Sequence, residues 1–215
     1  MLVFATFERN ILLWIHTHLR FAALTPVMRV LSLLGDKGLF WIALTLVLLL
    51  FYRTRRLGFY CAVSMVLTFL VVNCAVKPLV ARIRPYDLFP EIQILVHAEH
   101  DFSFPSGHSA NSFAVAWILF QMTRKAYGTS KVMFQGAGKP YGVTALVLAS
   151  LIAFSRLYVG VHYPTDVLAG IAIAIALAEL TLRLLPRFER RSVHKKRARR
   201  AAARRKAHQQ SRRGR

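Results

Sequence analysis

Residues 57–76 read LGFYCAVSMVLTFLVVNCAV, and residues 77–85 continue as KPLVARIRP. Twenty residues without a charge are what a helix needs to cross a hydrocarbon layer of about 30 Å. The stretch therefore predicts a spanning helix with Lys77, Arg82 and Arg84 gathered at its far end. Similar runs lie on both sides of it: residues 38–52 (extended back to 31–34 across Asp36 and Lys37), 102–123, 140–155 and 167–182, the last broken only by Glu179. Glu179 precedes Arg183 by four positions, the favoured order for a helical ion pair. The fold class is all-α, a polytopic transmembrane helical bundle of five to six spans. Residues 1–35 mix apolar and charged positions and predict an interfacial helix along the membrane surface or a sixth, tilted span. The start shows no basic segment followed by a small-residue cleavage site, so no secretory signal peptide is expected.

Composition points the same way. Hydrophobic residues make up 55% of the 215 and charged ones only 18%, more apolar surface than a water-soluble enzyme of this size could hide. Cys61 and Cys74 fall inside one apolar run and read as small core hydrophobes. The 30 Lys and Arg against 9 Asp and Glu give a net charge of +21, and 15 of those cations lie from Arg183 onward. Arg53, Arg55 and Arg56 lie between two runs, and Arg124, Lys125, Lys131 and Lys139 between two others. The positive-inside rule puts both loops and the basic tail on the cytoplasmic side. Three regions follow: 1–35, a spanning domain over 36–186, and a basic tail over 187–215 expected to be disordered in water. The tail suits anionic headgroups. Nucleic acid is disfavoured as its partner, because no aromatic residue beyond Phe188 is interleaved to stack on bases.

Three polar clusters interrupt the apolar pattern, all at the end opposite the basic loops. In the first, Lys77 and Arg84 are two turns apart and would face one way on a continuous helix. Arg82 lies off that face and reads as a headgroup collar. The second, Pro105-Ser106-Gly107-His108, opens a long apolar helix. Ser106 is a helix-start residue, and Gly107 leaves backbone N–H groups open to an anion. The third runs from Ser155 and Arg156 to His162 and Asp166. With Pro164 in the first helical turn, Asp166 can cap the helix. It can equally hold one N–H of His162 and leave the other ring nitrogen free as a nucleophile. Lys77, Arg84 and Arg156 outnumber the single local carboxylate, and so much charge beside hydrocarbon needs a partner of at least two negative charges, such as phosphate.

Together the segments Lys77–Pro85, Pro105–His108 and Ser155–Asp166 resemble the signature of the type 2 phosphatidic acid phosphatase superfamily, with every motif position present. The likeness covers about residues 57–182. It implies a membrane lipid phosphatase working through a phosphohistidine without metal or cofactor. His162 resembles the nucleophile, Asp166 its orienting partner and His108 the general acid. Lys77, Arg84, Ser106, Gly107 and Arg156 are similar to the phosphate-binding set. Compact members of this layout resemble undecaprenyl-diphosphate phosphatases, and phosphatidic acid, phosphatidylglycerophosphate and lipid A phosphatases use the same residues. The expected setting is a bacterial inner membrane with the site on the extracytoplasmic face and the tail in the cytoplasm. The histidine pairs His16/His18 and His97/His100 read as solvated side chains, and residues 86–102 as a lid or substrate-facing loop.

Overall fold

The computed structural model describes residues 2–124 and 139–186, and all regular structure among them is helical. The tail over 187–215 and its expected headgroup contacts lie outside the described residues. Helices α1 (Leu2–Leu19), α2 (Leu24–Leu34), α3 (Leu39–Leu50) and α4 (Arg55–Phe69) precede a π-helical stretch, Leu70–Val76. Short α5 (Lys77–Val80) and α6 (Pro85–Leu88) follow, then α7 (Gly107–Arg124) and α8 (Lys139–Tyr158). The last helix, α9, is Pro164–Pro186.

Three helical segments are long and apolar enough to cross a membrane: Arg55–Leu88, Pro140–Tyr158 and Pro164–Pro186. A fourth exists if α2 and the segment Asp36–Leu50, bent by 48°, count as one span. The expected number was five to six, and α7 explains part of the difference. It carries Ser109, Asn111, Ser112 and Gln121, and most of its residues are buried against neighbouring helices. A helix facing protein on nearly every side has no need of a uniformly apolar surface. Trp41 Nε1 donates to Ser112 Oγ at 2.9 Å, Ser64 Oγ donates to the Ala114 carbonyl, and Trp117 and Gln121 both donate to Glu179 of α9 at 2.8 and 2.7 Å. Glu179 is thus held chiefly by α7, with Arg183 3.9 Å from its other oxygen. Cys61 is buried as expected, but Cys74 is exposed on the outer surface of the bundle and is not a core residue.

Proline chemistry shapes the end of the α4 segment. Pro78 has no N–H, and its ring crowds the carbonyl four residues back. The helix widens to π geometry over Leu70–Val76 just before it, an irregularity that often accompanies functional sites. Ala81 is left-handed at φ 47° and stops the helix. Arg84 is extended (φ −72°, ψ 154°), as a residue before proline prefers to be. Lys77 and Arg84 are therefore not two turns apart on one helix. Both reach Asp101, with the chain leaving the helix at Ala81 between them.

Residues 1–35 pack on the end of the bundle where the polar clusters lie. Ile15 of α1 and Met28 of α2 join Tyr158, Val159 and Val161 in a buried apolar cluster. Arg20 donates to the Tyr158 carbonyl through Nε at 3.0 Å and Nη2 at 2.7 Å. Phe7, Trp14, Phe21, Val27, Val30 and Leu33 remain exposed on the outside.

Candidate active site

Lys77, the start of α7, the end of α8 and the start of α9 lie at one end of the bundle, and the sequence-derived candidates come together there. Arg84, Arg156, His162, Asp166 and Ser106 are each at most 2% exposed, with Lys77 at 6% and His108 at 9%.

His162 sits in the turn between α8 and α9. Its Nδ1 lies 3.5 Å from Asp166 Oδ2. Its Nε2 lies 3.5 Å from Arg84 Nη1 on the opposite side of the ring. A proton on Nδ1, toward the carboxylate, leaves the Nε2 lone pair facing the cations. Burial lowers the imidazole to about 4; Asp166 opposes that shift, and Arg84 and Arg156 add to it. That direction favours the neutral ring.

Asp166 serves as both cap and orienting partner. Its Oδ2 accepts from the Tyr163 N–H at 2.8 Å, closing the first turn of α9. The same oxygen accepts from Ser103 Oγ, and Oδ1 accepts from Arg82 Nη1 at 2.6 Å. Arg82 is thus more than a collar residue. It joins Asp166 to the buried Glu8 of α1 and lies 3.8 Å over the Tyr163 ring. Glu8 in turn accepts from Thr165 N–H at 2.9 Å and Thr165 Oγ1 at 2.6 Å. The fold thereby fixes the carboxylate that fixes the imidazole.

Ser106 caps α7: its Oγ accepts from Ser109 N–H at 3.4 Å and Ser109 Oγ at 3.0 Å, which leaves its own O–H free to donate. Its N–H donates to the Asp166 carbonyl at 2.9 Å, tying the α7 start to α9. A Cβ built on Gly107 would lie 4.0 Å from Lys77 Nζ, so the missing side chain keeps the space beside that ammonium open. His108, one residue on, borders two cavities of about 530 and 360 Å³. Both are also lined by Glu99 and Asp36; Arg156 lines the larger and Lys77 the smaller.

The cations are not left without partners. Glu99 bridges Arg84 and Arg156, and Asp101 bridges Lys77 and Arg84. The sequence reading counted one local carboxylate, whereas the loop after α6 brings two more. Burial raises both, but Arg156 and Arg84 hold Glu99 below the usual carboxylate range, and Lys77 and Arg84 do the same for Asp101. Ser32 of α2 accepts from Arg156 Nη1.

Three buried cations beside a carboxylate-held imidazole are one feature of this end of the bundle; similarity to known proteins supplies another. Residues 56–190 match the PAP2 superfamily. The chain belongs to that superfamily. It is 32% identical over 151 residues to an undecaprenyl-diphosphatase of Sulfolobus acidocaldarius, across 69% of this chain and 65% of that protein. It is 37% identical over 111 residues to phosphatidylglycerophosphatase B of Bacillus subtilis, across 50% of this chain and 48% of that one. The chain thus spans between about half and two thirds of the length of these two relatives. The crystal structure of a transmembrane PAP2-type phosphatidylglycerolphosphate phosphatase from Bacillus subtilis superposes with a TM-score of 0.67 at 27% identity, over 82% of this chain and 83% of that one.

Within this PAP2 fold, sequence reasoning missed Glu8, Ser32, Arg82, Glu99, Asp101 and Ser103 as parts of the site. Their partners lie far along the chain, and no local spacing marks them. The one available signal was the surplus of acids, Glu99 and Asp101 among them, in the loop beside the surplus of cations.

Proposed function

We propose that this protein is an integral membrane lipid phosphatase that hydrolyses the phosphate or diphosphate headgroup of a lipid, with undecaprenyl diphosphate the preferred substrate. The observation that carries the reading is the orientation of His162, one nitrogen toward Asp166 and the other toward Arg84, 3.5 Å in each case.

The chemistry follows from that arrangement. His162 Nε2 attacks phosphorus, a P–N bond forms, and the P–O bond to the leaving group breaks. His108, protonated once the substrate's negative charge offsets the cations around it, gives that proton to the departing oxygen. Water then attacks the phosphohistidine, His108 takes a proton from it, and the P–N bond breaks to release inorganic phosphate. Charge on the transferring group spreads over its equatorial oxygens, and Lys77, Arg84 and Arg156 meet it with fixed positive charge. Ser106 O–H and the Gly107 N–H add neutral donors. The reaction calls for no cofactor and no metal.

The substrate's tail belongs in the bilayer, and its headgroup at the end of the bundle where the site opens. The basic loops at the other end support a site on the extracytoplasmic face of a bacterial inner membrane. Purified full-length protein in detergent with EDTA, offered undecaprenyl diphosphate, phosphatidic acid and phosphatidylglycerophosphate in parallel, tests the reading. Phosphate release fastest from the diphosphate, with a phosphoenzyme lost in His162→Ala, is the expected result. Loss of all hydrolysis on chelation would overturn it.

A further inference from the structure

The three cations that should receive phosphate already hold two carboxylates of the chain itself. We infer that Glu99 and Asp101 are a built-in competitor for the phosphate seat, and that this competition makes the site admit doubly charged headgroups while turning away singly charged phosphodiester lipids. The inference rests on the phosphatase reading for its biological sense and on the ion pairs for its physics.

Burial differs sharply between the two sides of these pairs. The side chains of Arg84, Arg156 and Lys77 are 1%, 2% and 8% exposed, whereas Glu99 is 27% and Asp101 53% exposed. The cations are locked in the interior, and the carboxylates reach them from a loop with water at its back. That loop is anchored on both sides of the pair. Tyr86 OH donates to the Glu99 carbonyl at 3.0 Å and accepts from the Glu99 N–H at 3.1 Å, and Ser103 N–H donates to the Arg82 carbonyl at 2.8 Å. With the backbone held there, and Arg84 Nε still bonded to the Asp101 carbonyl, the movement inferred is rotation of the two side chains, which would free Lys77 Nζ, Arg84 Nη2 and Arg156 Nη2.

Charge then decides what can take their place. Three buried cations with both carboxylates seated carry a net +1. A phosphomonoester dianion restores that balance when the carboxylates swing out, and a diphosphate supplies at least as much negative charge. A phosphodiester brings a single negative charge; seated across all three cations with both carboxylates displaced, it leaves the seat at +2, and uncompensated buried charge is costly. Diesters form the bulk of a bilayer, so a site open to any lipid phosphate would be occupied by its surroundings. Discrimination here comes from the unfavourable state built against the wrong ligand.

The test measures an anion directly. Tungstate, a tetrahedral dianion, is titrated by calorimetry into the full-length protein in detergent. Glu99→Gln and Asp101→Asn should each tighten binding about tenfold, because a ligand's apparent affinity is reduced by the fraction of sites already closed to it. Glu99→Asp, too short to bridge both arginines, should fall between wild type and Glu99→Gln. Glu91→Gln removes an acid of the same loop that pairs with Arg9 and not with the seat. It should change affinity less than twofold. Phosphatidylglycerol in the micelles should leave wild-type turnover unaffected and inhibit the Glu99→Gln/Asp101→Asn double variant competitively. Unchanged or weaker tungstate binding in folded variants overturns the inference, as does an equal gain in Glu91→Gln or a double variant indifferent to phosphatidylglycerol. Tighter tungstate binding in a protein that hydrolyses none of the three lipid phosphates sinks the phosphatase reading and leaves the competition standing.

Discussion

His162 and Asp166 stand one helical turn apart with Nδ1 and Oδ2 3.5 Å from each other, and the same carboxylate also accepts from the Tyr163 N–H, Ser103 and Arg82. Four donors around one carboxylate hold it in place, so the ring it faces has one tautomer and one orientation. Asp166→Asn offers the ring an amide in place of that anion. Turnover of a lipid phosphate should fall about 10³-fold or more, while tungstate binding changes little. A loss smaller than tenfold in kcat would remove Asp166 from the orienting role.

Acid should weaken the fold through the same ring. An unfolded histidine titrates near about 6.5, whereas burial brings His162 down to about 4. As pH falls the unfolded chain takes the proton first. The stability contribution of this site is therefore intact above about pH 6.5 and declines until about pH 4. Melting temperature in detergent, followed from pH 7.5 to 4, should fall more steeply for the wild type than for His162→Asn. Equal slopes would contradict the assignment.

Arg84 uses every face of its guanidinium. Nε donates to the Asp101 carbonyl at 2.8 Å, Nη1 donates to the Val161 carbonyl at 2.9 Å, and Nη2 meets Glu99 and Asp101. A lysine ammonium is a point charge and cannot span those directions. Arg84→Lys should lower kcat/KM by about 10²-fold with the charge retained, roughly what loss of one buried, hydrogen-bonded charge contact costs. Kinetics on the same lipid substrate, with Arg183→Lys as a surface control, checks this.

Glu8 tests whether α1 belongs to the site. It is 1% exposed and holds both Thr165 and Arg82. Glu8→Ala removes the acceptor of Thr165 N–H, Thr165 Oγ1 and Arg82 Nη2, though Arg82 keeps Asp166, and should cost about 2 kcal/mol of stability. It should also lower kcat through the loosened Asp166. A variant with wild-type melting temperature and turnover would show α1 to be dispensable.

Gly35 backs onto His108 at the break between α2 and α3. A Cβ there would lie 2.9 Å from His108 Cδ2 and 2.7 Å from Ile152 Cγ2. Gly35→Ala forces Ile152 and His108 to give way, and if His108 is the proton donor proposed above, a small displacement of it is expensive in rate. The expected signature is a drop in kcat larger than any rise in KM. Equal effects on both would indicate general damage.

Much of this was legible in the sequence for a simple reason. Charged residues beside long apolar runs are rare enough to be noticed, and Lys77, His108, Arg156 and His162 each adjoin such a run. The converging ends followed from counting helices. What stayed hidden were the partners. Arg82 looked like a collar because its carboxylates, Glu8 and Asp166, lie 74 and 84 positions away. Lys77 and Arg84 seemed to share a helical face because nothing local announces that Ala81 turns left-handed. Glu99 and Asp101 sit in a loop without periodicity, so their destination could not be inferred from spacing.

The polar character of α7 bears on biogenesis. Among the described residues this helix is not one of those long and apolar enough to cross a membrane, and its first turn carries His108. It therefore depends on α4, α8 and α9 to shelter it from acyl chains. On the proposed reading, a nascent chain halted before α8 would hold His108 on a helix that lacks its two later neighbours, and competence would arrive only when the final hairpin docks.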